Sequence, residues 1–106
     1  MSGSDYAGKP RPAVIVQDDR FDATDFITVC TFTSEPVDLP LFRSVVEPSE
    51  HNNLKITSRL MADKIMTVPK SKIGQRIGTL ADADMVRLNH AMLLFLGIAA
   101  PVGKNR

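Results

Sequence analysis

The sequence predicts an α+β fold that is mostly β: a small antiparallel β-barrel followed by one C-terminal helix. Three observations carry this prediction. Short runs of β-branched and aromatic residues, bounded by proline, glycine or acidic residues, fill the chain before residue 81. A period near 3.6 appears only at the end of the chain. Strands therefore precede the helix instead of alternating with it, which disfavours a doubly wound α/β fold.

Length and composition narrow the class of protein. The chain has 106 residues, so we expect residues 1–106 to form a single domain. Apolar residues make up 43% and charged residues 24%, which excludes a disordered tail, a collagen-like chain and a coiled coil. No run approaches the ~18 apolar residues of a membrane span, and the N-terminus lacks the apolar core of a signal peptide. With a single cysteine, Cys30, the sequence predicts a reduced, cytoplasmic protein without a membrane segment.

The bounds of the strands are predicted from the loop-forming residues that separate the apolar runs. Residues 1–12 are rich in glycine, serine and proline and predict an extended loop, because each proline pushes its predecessor to extended geometry. Residues 13–17 form a short β-branched run. The strongest strand signal covers residues 26–33, which are largely apolar or β-branched on both faces and predict a central strand. Further strands are predicted at 42–47, 60–68 and 76–80.

The helix predicted at the end of the chain starts with Asp82 and Asp84, where the macrodipole favours carboxylates. Gly97 and Pro101 end it. Its apolar surface exceeds one stripe, so one face should pack on the sheet and the other against a second copy of the chain. The two apolar sides are Met85, Leu88, Met92, Phe95 and Leu96, and Val86, Leu93, Leu94 and Ile98.

Charge is distributed unevenly although the net charge is only +1. Residues 1–50 carry four Lys/Arg against nine Asp/Glu, and residues 51–106 carry nine against three. The basic excess lies mostly between Lys55 and Arg76. This asymmetry is typical of a polyanion-binding face, although a solvated surface is the simpler explanation of the charge spacing taken alone.

Common catalytic constellations are missing from the sequence. His51 lies in a polar turn and His90 on the helix, so both are expected at the surface, and no second histidine stands at ligand spacing. Cys30, in mid-strand, is expected to behave as a small hydrophobe. No P-loop, GxSxG or GxGxxG motif occurs. We therefore predict no metal site and no cofactor.

Two features are less ordinary. Arg11 stands between two prolines that restrict its direction, and its guanidinium fork fits phosphate oxygens. Thr33 and Ser34 place hydroxyls at the end of the central strand. Taken separately, a surface arginine and strand-filling hydroxyls are the simpler interpretations.

Both features occur in one known family, which this sequence resembles. Residues 8–19, GKPRPAVIVQDD, resemble the "G-x-x-R-P-[AV]-[VL]-[VI]-[VI]-Q-x-D" signature of the MazF/PemK/Kid toxins. Residues 32–34 are similar to that family's "I-T-[ST]", and residues 61–68, MADKIMTV, to its "x-[AC]-D-Q-[VI]-[RK]-[TS]-I". Residues 76–80 with the helix that follows match the family's end.

The resemblance implies a small barrel with a terminal helix, a homodimer, and a sequence-selective endoribonuclease that is the toxin of a type II toxin–antitoxin pair. Such enzymes cut single-stranded RNA without a metal, and the product is a 2′,3′-cyclic phosphate. The family's arginine maps to Arg11 and its threonine to Thr33. The cognate antitoxin is expected to wrap the RNA groove with an acidic, disordered tail.

The resemblance also implies further site residues, and the sequence departs from the family's pattern in three places. Asp63 matches the acid of an Arg-x-Asp pair and is a candidate base, but Met61 stands where the arginine is expected, and Lys64 replaces a glutamine. The chain begins in what is the family's first loop, so its usual first strand is expected to be absent. The predicted RNA-binding residues, including two aromatic platforms in loops that flank Arg11, are Tyr6, Lys9, Gln17, Phe21, Ser34, Lys64, Lys70, Lys72 and Arg76.

Two alternatives to an active nuclease stay open at this point. A gyrase-poisoning toxin shares this fold, but its action depends on a C-terminal tail that contains tryptophan, and this chain has no tryptophan. The second alternative is an inactive RNA-binding module of the same fold, because the family's first strand is expected to be absent.

Overall fold

A computed structural model describes residues 2–6, 9–39 and 41–98 of the chain, with side chains from residue 11 onward. Its regular elements are six strands, one α-helix and two short 3₁₀ helices. They are β1 Ser2–Tyr6, β2 Lys9–Ile15, β3 Phe26–Thr33, β4 Arg43–Val46, β5 Ser58–Pro69, β6 Ile73–Arg76, α1 Asp82–Phe95, and the 3₁₀ turns Asp19–Phe21 and Lys70–Lys72.

The strands form one antiparallel sheet in the order β4-β5-β3-β2-β1-β6. The long strand β3 lies in its middle, paired with β2 and β5, and β3 has the bounds that the sequence predicts. The predicted α+β, mostly β class is confirmed.

Two predicted elements are wrong. Residues 2–6 were expected in a loop but form β1, which pairs with β2 on one side and β6 on the other. Backbone pairing on both sides outweighs the weak strand propensity of serine, glycine and aspartate. The edge of β2 is therefore covered, which removes the structural reason for expecting an inactive remnant.

The last strand also lies earlier than predicted, at Ile73–Arg76 instead of 76–80. The segment after it docks on the turn at residues 49–53, since the Thr79 N–H donates to the His51 carbonyl at 2.8 Å. Gly78 permits this approach, because a Cβ at that position would lie 2.4 Å from the same carbonyl oxygen.

The two faces of the sheet bury separate cores. Val14, Cys30 and Phe32 belong to a cluster that the helix covers with Leu88 and Ala91. Alternate residues of the same strands face the other way, into a smaller cluster of Ala13, Ile27, Val29 and Val68. Val68 reaches this second face because the β3–β5 register shifts between Cys30 and Phe32.

The helix ends in a Schellman motif around Gly97, whose φ is 76°. The Ile98 N–H donates to the Leu93 carbonyl at 3.0 Å, and the Gly97 N–H to Leu94 at 3.1 Å. Residues 99–106, including the predicted stop at Pro101 and the tail, lie outside the described part of the chain. Within the described residues, no helix is long and apolar enough to span a membrane.

Candidate active site and its relatives

A cleft of about 390 Å³ opens where β2 and β3 separate. Pairing between these strands extends only as far as Ala13 opposite Thr31. The next residue, Pro12, has no N–H to continue the ladder. The cleft is lined by Arg11, Pro12, Phe32, Thr33, Ser34, Glu35, Ile56 and Ser58.

Arg11 and Thr33 are brought together across this cleft. Both residues line the cleft, two residues beyond the last paired positions of β2 and β3, Ala13 and Thr31. A single phosphate can therefore meet the guanidinium and the hydroxyl together.

The Arg11 backbone is held by β1, where Ser4 is its partner. Its exposed side chain leaves the sheet at the mouth of the cleft. Arg11 therefore lies on a strand, not in the loop that the prolines predicted. A strand restrains the direction of its side chain more than a loop does.

The Thr33 hydroxyl has one of its acceptor positions occupied. The Glu35 N–H donates to Thr33 Oγ1 at 3.2 Å. Because a hydroxyl carries one proton and two lone pairs, that proton is directed elsewhere and can be donated to a ligand oxygen. Ser34, exposed at the same strand end, adds a second hydroxyl at the rim.

Asp63 is not among the residues that line this cleft. Its carboxylate accepts from Arg43 Nε at 3.1 Å and from Nη2 at 2.9 Å. The hydrogen bonds from Arg43 lower the pKa of Asp63 below its ordinary value. A carboxylate held in a bidentate ion pair is a weak proton acceptor, so this geometry opposes a role as general base.

Sequence reasoning missed Arg43. In the β4–β5 ladder, Arg43 is the direct partner of Met61, the position where the family's arginine was expected. The arginine that pairs with Asp63 thus comes from the neighbouring strand. No local sequence pattern predicts this ion pair, because Arg43 and Asp63 lie in distant segments that only strand pairing brings together.

Two predicted contacts lie elsewhere. Phe21 is in a 3₁₀ turn beyond the Phe26 end of β3, and that end is about 24 Å of extended strand away from Thr33. It therefore does not flank Arg11. The Gln17 side chain closes the same loop, because its Oε1 accepts from the Thr28 N–H at 2.8 Å and its Nε2 donates to the Phe21 carbonyl at 3.3 Å.

The predicted basic residues with described side chains lie on three elements. Lys70 and Lys72 lie in the 3₁₀ turn that follows Pro69, and the Lys70 ammonium donates to the Asp22 carbonyl. Arg76 is on β6 and donates to Thr79 Oγ1 at 2.7 Å. Lys64 is exposed on β5. Tyr6 and Lys9 are cross-strand partners in the β1–β2 hairpin, and their side chains lie outside the described part of the structure.

The remaining titratable residues match their predicted environments. His51 and His90 are exposed. Cys30 is fully buried, and burial raises the pKa of its thiol to about 12. No group of three or more His, Cys, Asp or Glu that could hold a metal ion occurs within residues 2–6, 9–39 and 41–98.

This chain is similar to known proteins along nearly its whole length. The family described as PemK-like, MazF-like toxin of type II toxin-antitoxin system matches residues 2–96. A Mycolicibacterium smegmatis protein named probable endoribonuclease MazF is 53% identical over 94 residues, covering 89% of this chain and 86% of that protein.

Two solved structures share the fold. Mycobacterium tuberculosis toxin MazF-mt6 superposes with a TM-score of 0.78 at 22% identity, covering 91% of this chain and 94% of that one. An endoribonuclease in complex with its cognate antitoxin, from a mycobacterial species, gives 0.79 at 24% identity, covering 94% and 93%. The chain belongs to the PemK-like, MazF-like toxins of type II toxin–antitoxin systems, as the resemblance in its sequence predicted.

Proposed function

We propose that this toxin is an endoribonuclease that cleaves single-stranded RNA at short specific sequences, in the cleft between β2 and β3. The observation that carries the proposal is the placement of Arg11 and Thr33 in one cleft, at the point where the two strands separate. The M. smegmatis relative, named a probable endoribonuclease, supports the same activity.

The reaction uses a nucleophile that RNA itself carries. The 2′-oxygen attacks the adjacent phosphorus, the 2′-hydroxyl loses its proton, and the bond from phosphorus to the 5′-oxygen breaks. The 5′-oxygen takes up a proton, and the products are a 2′,3′-cyclic phosphate and a 5′-hydroxyl. Because charge is stabilised by a guanidinium and the nucleophile comes from the substrate, the step needs no metal.

Arg11 and Thr33 have distinct tasks in this step. Negative charge develops on the non-bridging oxygens as the fifth bond to phosphorus forms. A preorganised donor aimed at that charge contributes about 3 kcal/mol, and we assign this task to the Arg11 guanidinium. Thr33 donates its free hydroxyl proton to the same oxygens. Asp63 as a general base stays a prediction, and its ion pair with Arg43 argues against it.

The remaining predicted RNA contacts differ in support. Ser34 lines the cleft and is well placed for the sugar–phosphate backbone. Roles for Tyr6, Lys9, Lys64 and Arg76 stay predictions.

We further propose a homodimer that acts in the cytoplasm. Leu94, Phe95 and Leu41 are 44%, 47% and 70% exposed and line an apolar groove beside the helix. Exposed apolar patches of this kind mark interfaces on otherwise polar proteins. The antitoxin is expected to bring an acidic segment to the RNA cleft, consistent with the related endoribonuclease that was solved with its cognate antitoxin.

The test is cleavage of a mixed-sequence single-stranded RNA in excess EDTA. The expected result is cutting at defined sites, with cyclic phosphate on the upstream fragment. A matched RNA with a single 2′-deoxy nucleotide before one cut site should resist cleavage there and only there. Cleavage that continues at the 2′-deoxy position, or that requires a divalent cation, would contradict the proposed mechanism.

A further inference from the structure

We infer that Arg59 is a second phosphate-binding residue, which holds the RNA backbone on the side of Thr33 opposite to Arg11. The inference rests on the proposed function. Arg59 lies on β5 and is the direct cross-strand partner of Thr33. Direct partners share one face of the sheet, so Arg59 lies on the same face as Thr33, which lines the cleft together with Arg11.

No residue in the described part of the chain neutralises the charge of Arg59 by an ion pair. Among the residues that the structure describes, three arginines form ion pairs with aspartates: Arg20, Arg43 and Arg87. Arg59 donates a long hydrogen bond from Nη1 to the Glu35 carbonyl at 3.4 Å. A guanidinium has five N–H donors, so most of them can still turn to a phosphate.

Two exposed carboxylates lie near this guanidinium. Glu35 lines the cleft, and Asp38 lines a second cavity together with Arg59. Neither forms an ion pair with Arg59. Both belong to the loop after β3 and can turn to solvent, whereas the backbone of Arg59 is fixed by strands on both sides.

The position of Arg59 suggests which part of the RNA it binds. The second cavity, of about 260 Å³, contains Arg59 itself, while the carbonyl to which Arg59 donates belongs to Glu35 in the first cleft. Arg59 therefore stands between the two spaces. A strand of RNA whose scissile phosphate lies between Arg11 and Thr33 would bring a neighbouring phosphodiester to Arg59.

The experiment measures binding of a non-cleavable 2′-O-methyl RNA as a function of NaCl concentration. The variants are Arg59→Gln, which keeps a polar side chain but removes the charge, and Arg59→Lys, which keeps the charge. Arg20→Ala is the control, since Arg20 is paired with Asp18 in a distant turn. Loss of one phosphate contact should lower the slope of log affinity against log salt by about 0.7.

We expect Arg59→Gln to weaken binding about tenfold or more, to a similar extent for RNAs of different sequence. Arg59→Lys should keep the parental slope with part of the affinity lost, because a point charge replaces the fork. Arg20→Ala should change neither quantity. An Arg59→Gln slope equal to that of the parent, or a loss confined to one RNA sequence, overturns the inference.

Failure of the inference and failure of the proposed function give different results. A parent that cleaves RNA, with an Arg59→Gln variant that matches its salt slope, overturns only the role of Arg59. A parent that binds RNA with the expected Arg59-dependent slope but cuts nothing overturns only the nuclease. Thermal melting of each variant, measured alongside, distinguishes the loss of a contact from the loss of the fold. If Arg59→Gln does not fold, the RNA affinity of Arg59→Lys tests the inference instead.

Discussion

Replacing Asp63 by asparagine should destabilise the protein far more than it slows the chemistry. Asp63 and Arg43 form an ion pair whose side chains are only 17% and 9% exposed. Removing one charge leaves the other buried without compensation, which costs about 3–5 kcal/mol. Because Asp63 keeps some contact with water, the lower end, about 3 kcal/mol, is expected. In a domain of this size such a loss lowers the melting temperature by roughly 10–20 °C.

Two matched variants sharpen this prediction. Asp18→Asn removes an aspartate from an exposed pair with Arg20, whose side chains are 49% and 79% exposed, and should lower the melting temperature far less than Asp63→Asn does, because solvent screens the exposed pair. Arg43→Met combined with Asp63→Leu removes both buried charges and should be more stable than Asp63→Asn alone.

The pH dependence has a definite sign. The Arg43 guanidinium lowers the folded-state pKa of Asp63, so the pair contributes stability above the unfolded value of about 3.9. That contribution is lost as the pH falls through the lower folded value. Asp63→Asn should remove this component of acid unfolding. The assay is denaturant unfolding at several pH values, with RNA cleavage measured per folded molecule. An Asp63→Asn variant as stable as the parent but unable to cut RNA would refute the structural role and restore Asp63 as a base.

Three further predictions follow from single contacts. Thr33→Ala should slow cleavage roughly 2- to 13-fold in a single-turnover assay, since it removes one neutral hydrogen bond of roughly 0.5–1.5 kcal/mol; a loss as large as that of Arg11→Ala would be inconsistent with this role. Gly78→Ala should cost about 1–3 kcal/mol in denaturant unfolding, because the new Cβ meets the His51 carbonyl, and an unchanged midpoint would refute that contact. Leu94→Glu should shift sedimentation toward a monomer, whereas Asn89→Glu, which also changes an exposed helix residue, should not. Equal sedimentation of the two variants would show that the groove is not part of a dimer interface.

The elements that sequence predicted well are those with strong local signals. Strand β3 is a continuous β-branched and aromatic run, and its bounds are those predicted. Helix α1 starts at Asp82 as predicted, with Leu88 and Ala91 buried, whereas Phe95 and Leu96, predicted on the same apolar side as Leu88, are about half exposed. Strand β1 was missed because its residues have weak strand propensity and it forms by pairing with two other strands.

The candidate site divides in the same way. Arg11 and Thr33 were recognisable because each lies in a local motif, and the fold then places both in one cleft. Phe21 was misplaced because closeness in sequence does not imply closeness in space along an extended strand. Arg43 and Arg59 were missed because their significance comes only from the β4–β5 and β3–β5 registers, which join distant segments.

The central claim is that Arg11 stabilises charge at the phosphate that is cut. The most direct test is single-turnover cleavage of one RNA in EDTA by the parent, Arg11→Ala and Arg11→Lys. Because the Arg11 side chain is exposed, Arg11→Ala should melt near the parental temperature. Its cleavage rate should fall about 100-fold or more, and Arg11→Lys should recover little of that loss. A folded Arg11→Ala variant that cuts as fast as the parent would contradict the account.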